Sequence, residues 1–118
     1  MLALAGVAPD ARQIARVRAP DVKYVPTPQN VVEAMLQLAR VTSADVVYDL
    51  GSGDGRIPIT AARLYGARAV GIEIDPFHMR DAIDNLAKAG VGNRVTFLTQ
   101  DFLETDISAA TVVTLFLL

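Results

Sequence analysis

The chain has 118 residues, of which 52% are hydrophobic, 20% charged and 6% aromatic, the composition of one soluble globular domain and too little chain for two. It has no cysteine, which excludes disulfides, iron–sulfur clusters, thiolate zinc sites and cysteine nucleophiles, and its one histidine, His78, excludes a multi-histidine metal centre. Eleven Lys and Arg against thirteen Asp and Glu leave a formal charge of -2, so no overall basic field is available to hold a polyanion, and nucleic acid is not expected as a partner.

Met1 to Ala8 is apolar but has no basic region before it and is too short for a secretory leader with its flanks. It reads as a frayed start, with the tail of a trimmed leader as the alternative. No apolar run reaches the roughly 18 residues that span a bilayer, so no membrane span is expected and the expected location is cytoplasmic. Residues 9–23 carry Arg12, Arg16, Arg18, Lys23 and two prolines with little periodicity. They read as a solvated arm with one helical turn around Gln13 to Val17, so that residues 1–23 form a flexible arm and 24–118 the folded core. Tyr24-Val25-Pro26-Thr27-Pro28 is an extended strap fixed by its two prolines. Helical spacing of Val31, Val32, Met35, Leu36, Leu38 and Ala39 follows, with Thr27 as N-cap and Pro28 at the first helical position.

Val46 to Leu50 is a short apolar run that stops at a glycine cluster, as expected for a strand buried on both faces. A helix from Arg56 to Tyr65 ends at Gly66, Ala69 to Ile74 is a second buried strand, and Pro76 opens a helix that ends at Gly90. Arg94 to Thr99 and Thr111 to Leu118 are the third and fourth strands. This alternation predicts right-handed crossovers and an α/β, Rossmann-like, doubly wound parallel sheet of about four strands in order 3-2-1-4, with helices on both faces.

The chemistry gathers at the strand ends. Asp49-Leu50-Gly51-Ser52-Gly53-Asp54-Gly55-Arg56 joins the first strand to the next helix, at the carboxyl end where open α/β sheets bind ligands. Glycines allow a tight turn and a close approach of backbone N–H groups to a ligand. A dinucleotide fingerprint would carry its third glycine at position 56, where this chain has Arg56, and the acidic Asp49 precedes the run. The pattern suits a zwitterionic ligand without phosphates, whose carboxylate meets loop amides and whose amino group meets an anion. S-adenosylmethionine is such a ligand, and a nicotinamide-dependent oxidoreductase remains the alternative if Arg56 replaces the glycine without harm. The second strand ends at Glu73, 22 residues after Gly51, where a carboxylate can accept from a ribose diol. Ile74 can cover an adenine face, while Asp101 and the Phe102 N–H after the third strand can meet the adenine edge. Asp101 also reads as an ordinary turn residue, Glu73 as a solvated strand-end charge, His78 as a solvated or packed imidazole, and Tyr48 and Tyr65 as packing.

DLGSGDG, GIEID and TQDF together resemble the three cofactor motifs of class I S-adenosylmethionine-dependent methyltransferases. YVPTP, VVYDLGSGDGR and TVVTLFLL look more narrowly like the family that includes small bacterial methyltransferases and the mitochondrial protein-lysine methyltransferases called FAM173, over Tyr24 to Leu118. The resemblance implies that Asp49, Gly51, Ser52 and Gly53 flank the methionine part, that Glu73 holds the ribose, and that Asp101 and Phe102 hold the adenine. It also implies that Tyr24 and Thr27 close over the methionine end. The implied activity is N-methylation of a protein lysine; no catalytic residue is assigned and no metal is expected. The alternative is a cofactor-binding module, or a truncated core without catalysis of its own. No Asn-Pro-Pro-Tyr or Asp-Pro-Pro-Tyr follows the fourth strand, which disfavours base methylation. Class I relatives continue past this point with further strands. The fourth strand is therefore expected as an exposed apolar edge, either in an incomplete piece or in a short protein that forms a homodimer through it.

Overall fold

The computed structural model describes residues 2–6 and 25–117. In chain order the elements are β1 (Leu2–Gly6), α1 (Gln29–Leu38), β2 (Val46–Leu50), α2 (Arg56–Tyr65), β3 (Arg68–Glu73), α3 (Pro76–Ala89), β4 (Val95–Thr99), a 3-10 turn (Phe102–Glu104) and β5 (Val112–Leu117). The four strands expected from the sequence are β2 to β5. They pair in parallel as β4-β3-β2-β5, the predicted 3-2-1-4 order. Among the described residues no helix is long and apolar enough to cross a membrane.

The local signals work as physics requires. Asp75 caps α3 by accepting from the Phe77 N–H, Pro76 takes the first turn where its missing N–H costs nothing, and Gly90 ends the helix in the left-handed region at φ 71°. At α1 the cap falls one residue later than expected. Pro28, extended at ψ 142°, is the N-cap, and its carbonyl accepts from the Val31 and Val32 N–H groups. Thr27 instead turns inward and is buried.

The three helices pack on one face of the sheet, which corrects the expectation of helices on both. Val32 and Leu36 of α1, Ile57, Ala61 and Ala62 of α2 and Leu86 of α3 join Val47, Ala69, Val95 and Val112 in one core. On the other face Leu50, Ile72, Val113 and Leu115 pack with Ile107, Phe102 and Ala110. Among the described residues no helix contributes to that second cluster. The reason is topological. From β2 to β3 to β4 the chain steps always in one direction, and right-handed crossovers then land their helices on one side. Only the return from β4 to β5 could cover the opposite face, and residues 100–111 hold just the 3-10 turn. Tyr48 and Tyr65 pack against the two cores, as read from the sequence.

The edge of β5 is not open. β1 pairs with it antiparallel, from Leu2 opposite Leu117 to Gly6 opposite Val113, and occupies the row of backbone donors and acceptors that the sequence reading left exposed. Residues 2–6 are therefore a strand, where a frayed start and a flexible arm were expected. Their Leu-Ala-Leu-Ala alternation carries the period of a strand, but over too few residues to stand out. The arginine cluster at 12, 16 and 18, the turn at 13–17 and Tyr24 lie outside the described residues.

Phe97 is the largest side chain between β4 and the helical layer, and it fits because β3 has no side chain opposite it. A Cβ at Gly71 would stand 2.7 Å from two ring atoms of Phe97 and 2.8 Å from Ser52 Oγ. We predict that Gly71→Ala lowers stability by roughly 1 to 3 kcal/mol through overpacking, and that Phe97→Leu in the same chain restores part of the loss. Urea unfolding of the four variants in a double-mutant cycle checks this; additive losses would contradict it.

Candidate functional site

The parallel register brings the strand tips side by side. Leu50 of β2 pairs with Ile72 of β3, Ile72 with Leu98 of β4, and Glu73 with Thr99. The Gln100 N–H then donates to the Glu73 carbonyl at 3.1 Å, carrying the connection past the end of β4. The glycine loop, the Glu73–Asp75 turn and the Gln100–Asp101 turn therefore line one edge of the sheet, as open parallel sheets require of a ligand site.

Gly51, Gly53 and Gly55 all have positive φ, at 77°, 56° and 80°, a region that residues with a Cβ rarely adopt. Their amides are spent inside the protein. The Gly51 and Ser52 N–H groups both donate to the Ile72 carbonyl, at 2.8 and 3.0 Å, and the Gly55 N–H donates to the Ser52 carbonyl at 2.9 Å. The Gly53 N–H donates to Glu73 Oε1 at 2.8 Å, and the Arg56 N–H to Asp54 Oδ1 at 3.2 Å. The expectation that loop amides face a ligand carboxylate is thus not met at these positions. Gly55 has a packing role as well, since a Cβ there would stand 2.5 Å from the Phe97 ring. Ser52 is buried, and its hydroxyl has no hydrogen-bond partner among the described residues.

Glu73 is the hub of the site. Oε1 accepts from Gly53, while Oε2 accepts from the Ile74 and Asp75 N–H groups, both at 3.0 Å. A carboxylate has about four acceptor positions, so one remains for an incoming hydroxyl. Beside it Ile74 is 54% exposed, an apolar side chain held out at the crevice. His78 Nδ1 lies 3.9 Å from Glu73 Oε2 and 3.8 Å from Asp75 Oδ2, beyond hydrogen-bonding distance. Asp101 caps the 3-10 turn, its Oδ1 accepting from the Leu103 N–H at 3.0 Å, and Phe102 packs against the Leu50–Ile72 core. The turn-former reading of Asp101 therefore holds.

Asp49 lies under the loop, 2% exposed, with Oδ1 accepting from the Thr114 hydroxyl at 2.8 Å. Burial pushes its carboxyl up to about 7, and the charges of Glu73 and Asp54 add to the rise, against the hydrogen bond from Thr114. Near neutral pH it is poised between its two forms, and a cation above it would favour the charged one.

Several participants escaped the sequence reading. Asp54 and Arg56 form an ion pair at 2.6 Å, Arg56 Nη1 donates to the Thr27 carbonyl at 3.0 Å, and Asn85 Nδ2 donates to the Asp54 carbonyl at 2.9 Å. Arg56 had one visible signal, its position where a dinucleotide loop has glycine. Asn85 and Thr114 had none, because their partners are 31 and 65 residues away in the chain.

Residues 49–118 match the ANTKMT methyltransferase domain family. A protein-lysine N-methyltransferase of Saccharolobus islandicus (strain REY15A) is 53% identical over 100 residues, which is 84% of this chain and 62% of that protein. A lysine N-methyltransferase of Xenopus laevis, named for ATP synthase, is 34% identical over 85 residues, 72% of this chain and 37% of that one. Among solved structures, an RNA methyltransferase from Salinibacter ruber in complex with S-adenosyl-L-homocysteine is 61% identical, with a TM-score of 0.78 over 80% of this chain and 61% of that one. The chain thus spans about three fifths of the length of the Saccharolobus and Salinibacter proteins. With its Rossmann-like parallel sheet and its glycine loop, Glu73 and Asp101 turns at one edge, the chain belongs to the ANTKMT methyltransferase domain family, whose cofactor is S-adenosylmethionine.

Proposed function

We propose that this chain binds S-adenosylmethionine in the crevice at the tips of β2, β3 and β4 and serves N-methylation of a protein lysine. The observation that carries the reading is Glu73, a buried carboxylate with acceptor capacity left, at the tip next to both the glycine loop and the Asp101 turn. The donor and acceptor set fits the cofactor. Glu73 would hold the ribose, Ile74 would cover the adenine, Asp101 with Phe102 would meet the adenine edge, and Asp49 would face the amino group beneath Gly51, Ser52 and Gly53. Tyr24 and Thr27 of the strap would close over the methionine end. Bound there, the cofactor supplies an electrophilic methyl group on a sulfonium.

Two relatives bear lysine in their names and one bears RNA, and the charge at the crevice favours the amine. Glu73, Asp75, Asp101 and Glu104 follow the tips of β3 and β4, and their charge would attract a cationic side chain and repel a phosphate backbone. Arg56, the basic group in the loop, is engaged with Asp54. With β1 on the outer side of β5, a homodimer through that edge would first have to displace β1.

Calorimetric titration with S-adenosylhomocysteine and a tritiated-methyl assay on lysine-containing proteins and on RNA separate binding from transfer. The reading expects binding, with label on lysine. Binding without transfer would leave a cofactor-binding module, and label on RNA would overturn the acceptor. We further predict that Glu73→Gln weakens S-adenosylhomocysteine by roughly tenfold or more, through lost charge-assisted hydrogen bonds. An unchanged dissociation constant would remove Glu73 from the site.

Asp49 gives a pH prediction with a definite sign. Its folded pKa of about 7 lies above the unfolded 3.8, so between these values the folded chain holds a proton that the unfolded chain has lost. The Asp49 contribution to the stability of the ligand-free chain should therefore fall as pH rises from about 4 to 7, then level off, a loss on the order of a few kcal/mol. Asp49→Asn should unfold at higher urea than the parent at pH 8 and at similar urea at pH 4, yet bind S-adenosylhomocysteine more weakly at pH 8. A variant no more stable than the parent at pH 8 would contradict this.

A further inference from the structure

We propose that Arg56 is a positioning residue, a latch that fixes the Val25–Pro28 strap against the glycine loop and so governs how tightly the amino-acid end of the cofactor is held. The proposal rests on the cofactor reading above. Its basis is the way one guanidinium is divided. Nε and Nη2 take the Asp54 carboxylate, at 3.1 and 2.6 Å, while Nη1 reaches out of that pair to the Thr27 carbonyl at 3.0 Å.

Each partner is itself anchored. The Asp54 carbonyl accepts from Asn85 on α3, so the loop end of the latch is tied to the helical layer. Thr27 is 6% exposed, while Val25, Pro26 and Pro28 around it are exposed. The strap is thus turned inward at Thr27, the residue whose carbonyl Arg56 holds. A second tether runs alongside, with Gln29 Nε2 donating to the Thr60 hydroxyl at 3.0 Å and that hydroxyl donating to the Arg56 carbonyl at 2.6 Å. Both tethers bind the strap and the start of α1 to the first turns of α2, and Gly55 and Arg56 join those turns to the loop.

The planar fork matters here. A lysine at 56 offers one ammonium, which cannot take the carboxylate in bidentate fashion and the Thr27 carbonyl together. A residue that only stabilised the fold would affect all cofactor fragments alike. A latch on the strap should affect only ligands with an amino-acid tail under it. S-adenosylhomocysteine has that tail and 5′-methylthioadenosine lacks it, while both share the adenosine that Glu73 and Asp101 would hold.

The test is calorimetric titration of the 118-residue chain and its variants with these two compounds. Arg56→Gln and Arg56→Lys are expected to weaken S-adenosylhomocysteine by roughly tenfold or more, with 5′-methylthioadenosine within about twofold of the parent value. Gln29→Ala should give a smaller loss, about two- to threefold, on S-adenosylhomocysteine alone. If Arg56→Gln does not fold, Arg56→Lys and Gln29→Ala carry the comparison. Equal losses on both compounds, or no loss on either, would overturn the latch. Failure of the unsubstituted chain to bind S-adenosylhomocysteine would overturn the latch together with the cofactor reading on which it rests.

Discussion

One buried carboxylate holds the glycine loop to the sheet. Glu73 accepts from the Gly53 N–H on one oxygen and from the two N–H groups of its own turn on the other. Two loop amides already donate to the Ile72 carbonyl one residue earlier, so β3 fixes the loop from both its backbone and its side chain. Without that side chain the Gly53 N–H would lose its partner under the turn, and a buried N–H left unpaired costs about 1 to 3 kcal/mol. The sheet register, the loop and the crevice meet at this residue.

The same arrangement divides the glycines by purpose. Gly51, Gly53 and Gly55 give the loop the left-handed turns that let its amides face inward, and Gly55 also leaves room for the Phe97 ring. Phe97 in turn lies against Gly71, so the core under the site and the site itself share one packing constraint. Asp49 adds a cost: a carboxyl held under the loop and pushed toward neutrality is unfavourable for folding above its unfolded pKa. A cationic amino group above it would compensate.

Much of this was legible in the chain itself. Gly66, Gly90 and Pro76 mark helix boundaries that the backbone obeys, and the alternation of apolar runs fixed β2 to β5 and their order. Glu73 was legible as a strand-tip carboxylate, but its bonds to the loop were not, because a spacing of 20 residues says nothing about which donor a side chain meets. The one-sided placement of the helices is not visible in the alternation alone, because crossover handedness has to be combined with strand order, and the direction of travel is the same at both crossovers. β1 has no such signal, because five apolar residues acquire their meaning only when β5 stands beside them. The network around Arg56 depends on Thr27 and Asn85, about 30 residues to either side, and no local pattern announces it.

On this reading three adjacent parallel strand tips form one pocket for an adenosyl amino acid, organised on Glu73. A crystal structure of the chain grown with S-adenosylhomocysteine tests it directly. The account predicts the ribose within hydrogen-bonding distance of Glu73, the adenine between Ile74 and the Asp101–Phe102 turn, and the amino group above Asp49. Density for the compound anywhere away from Glu73 would contradict it.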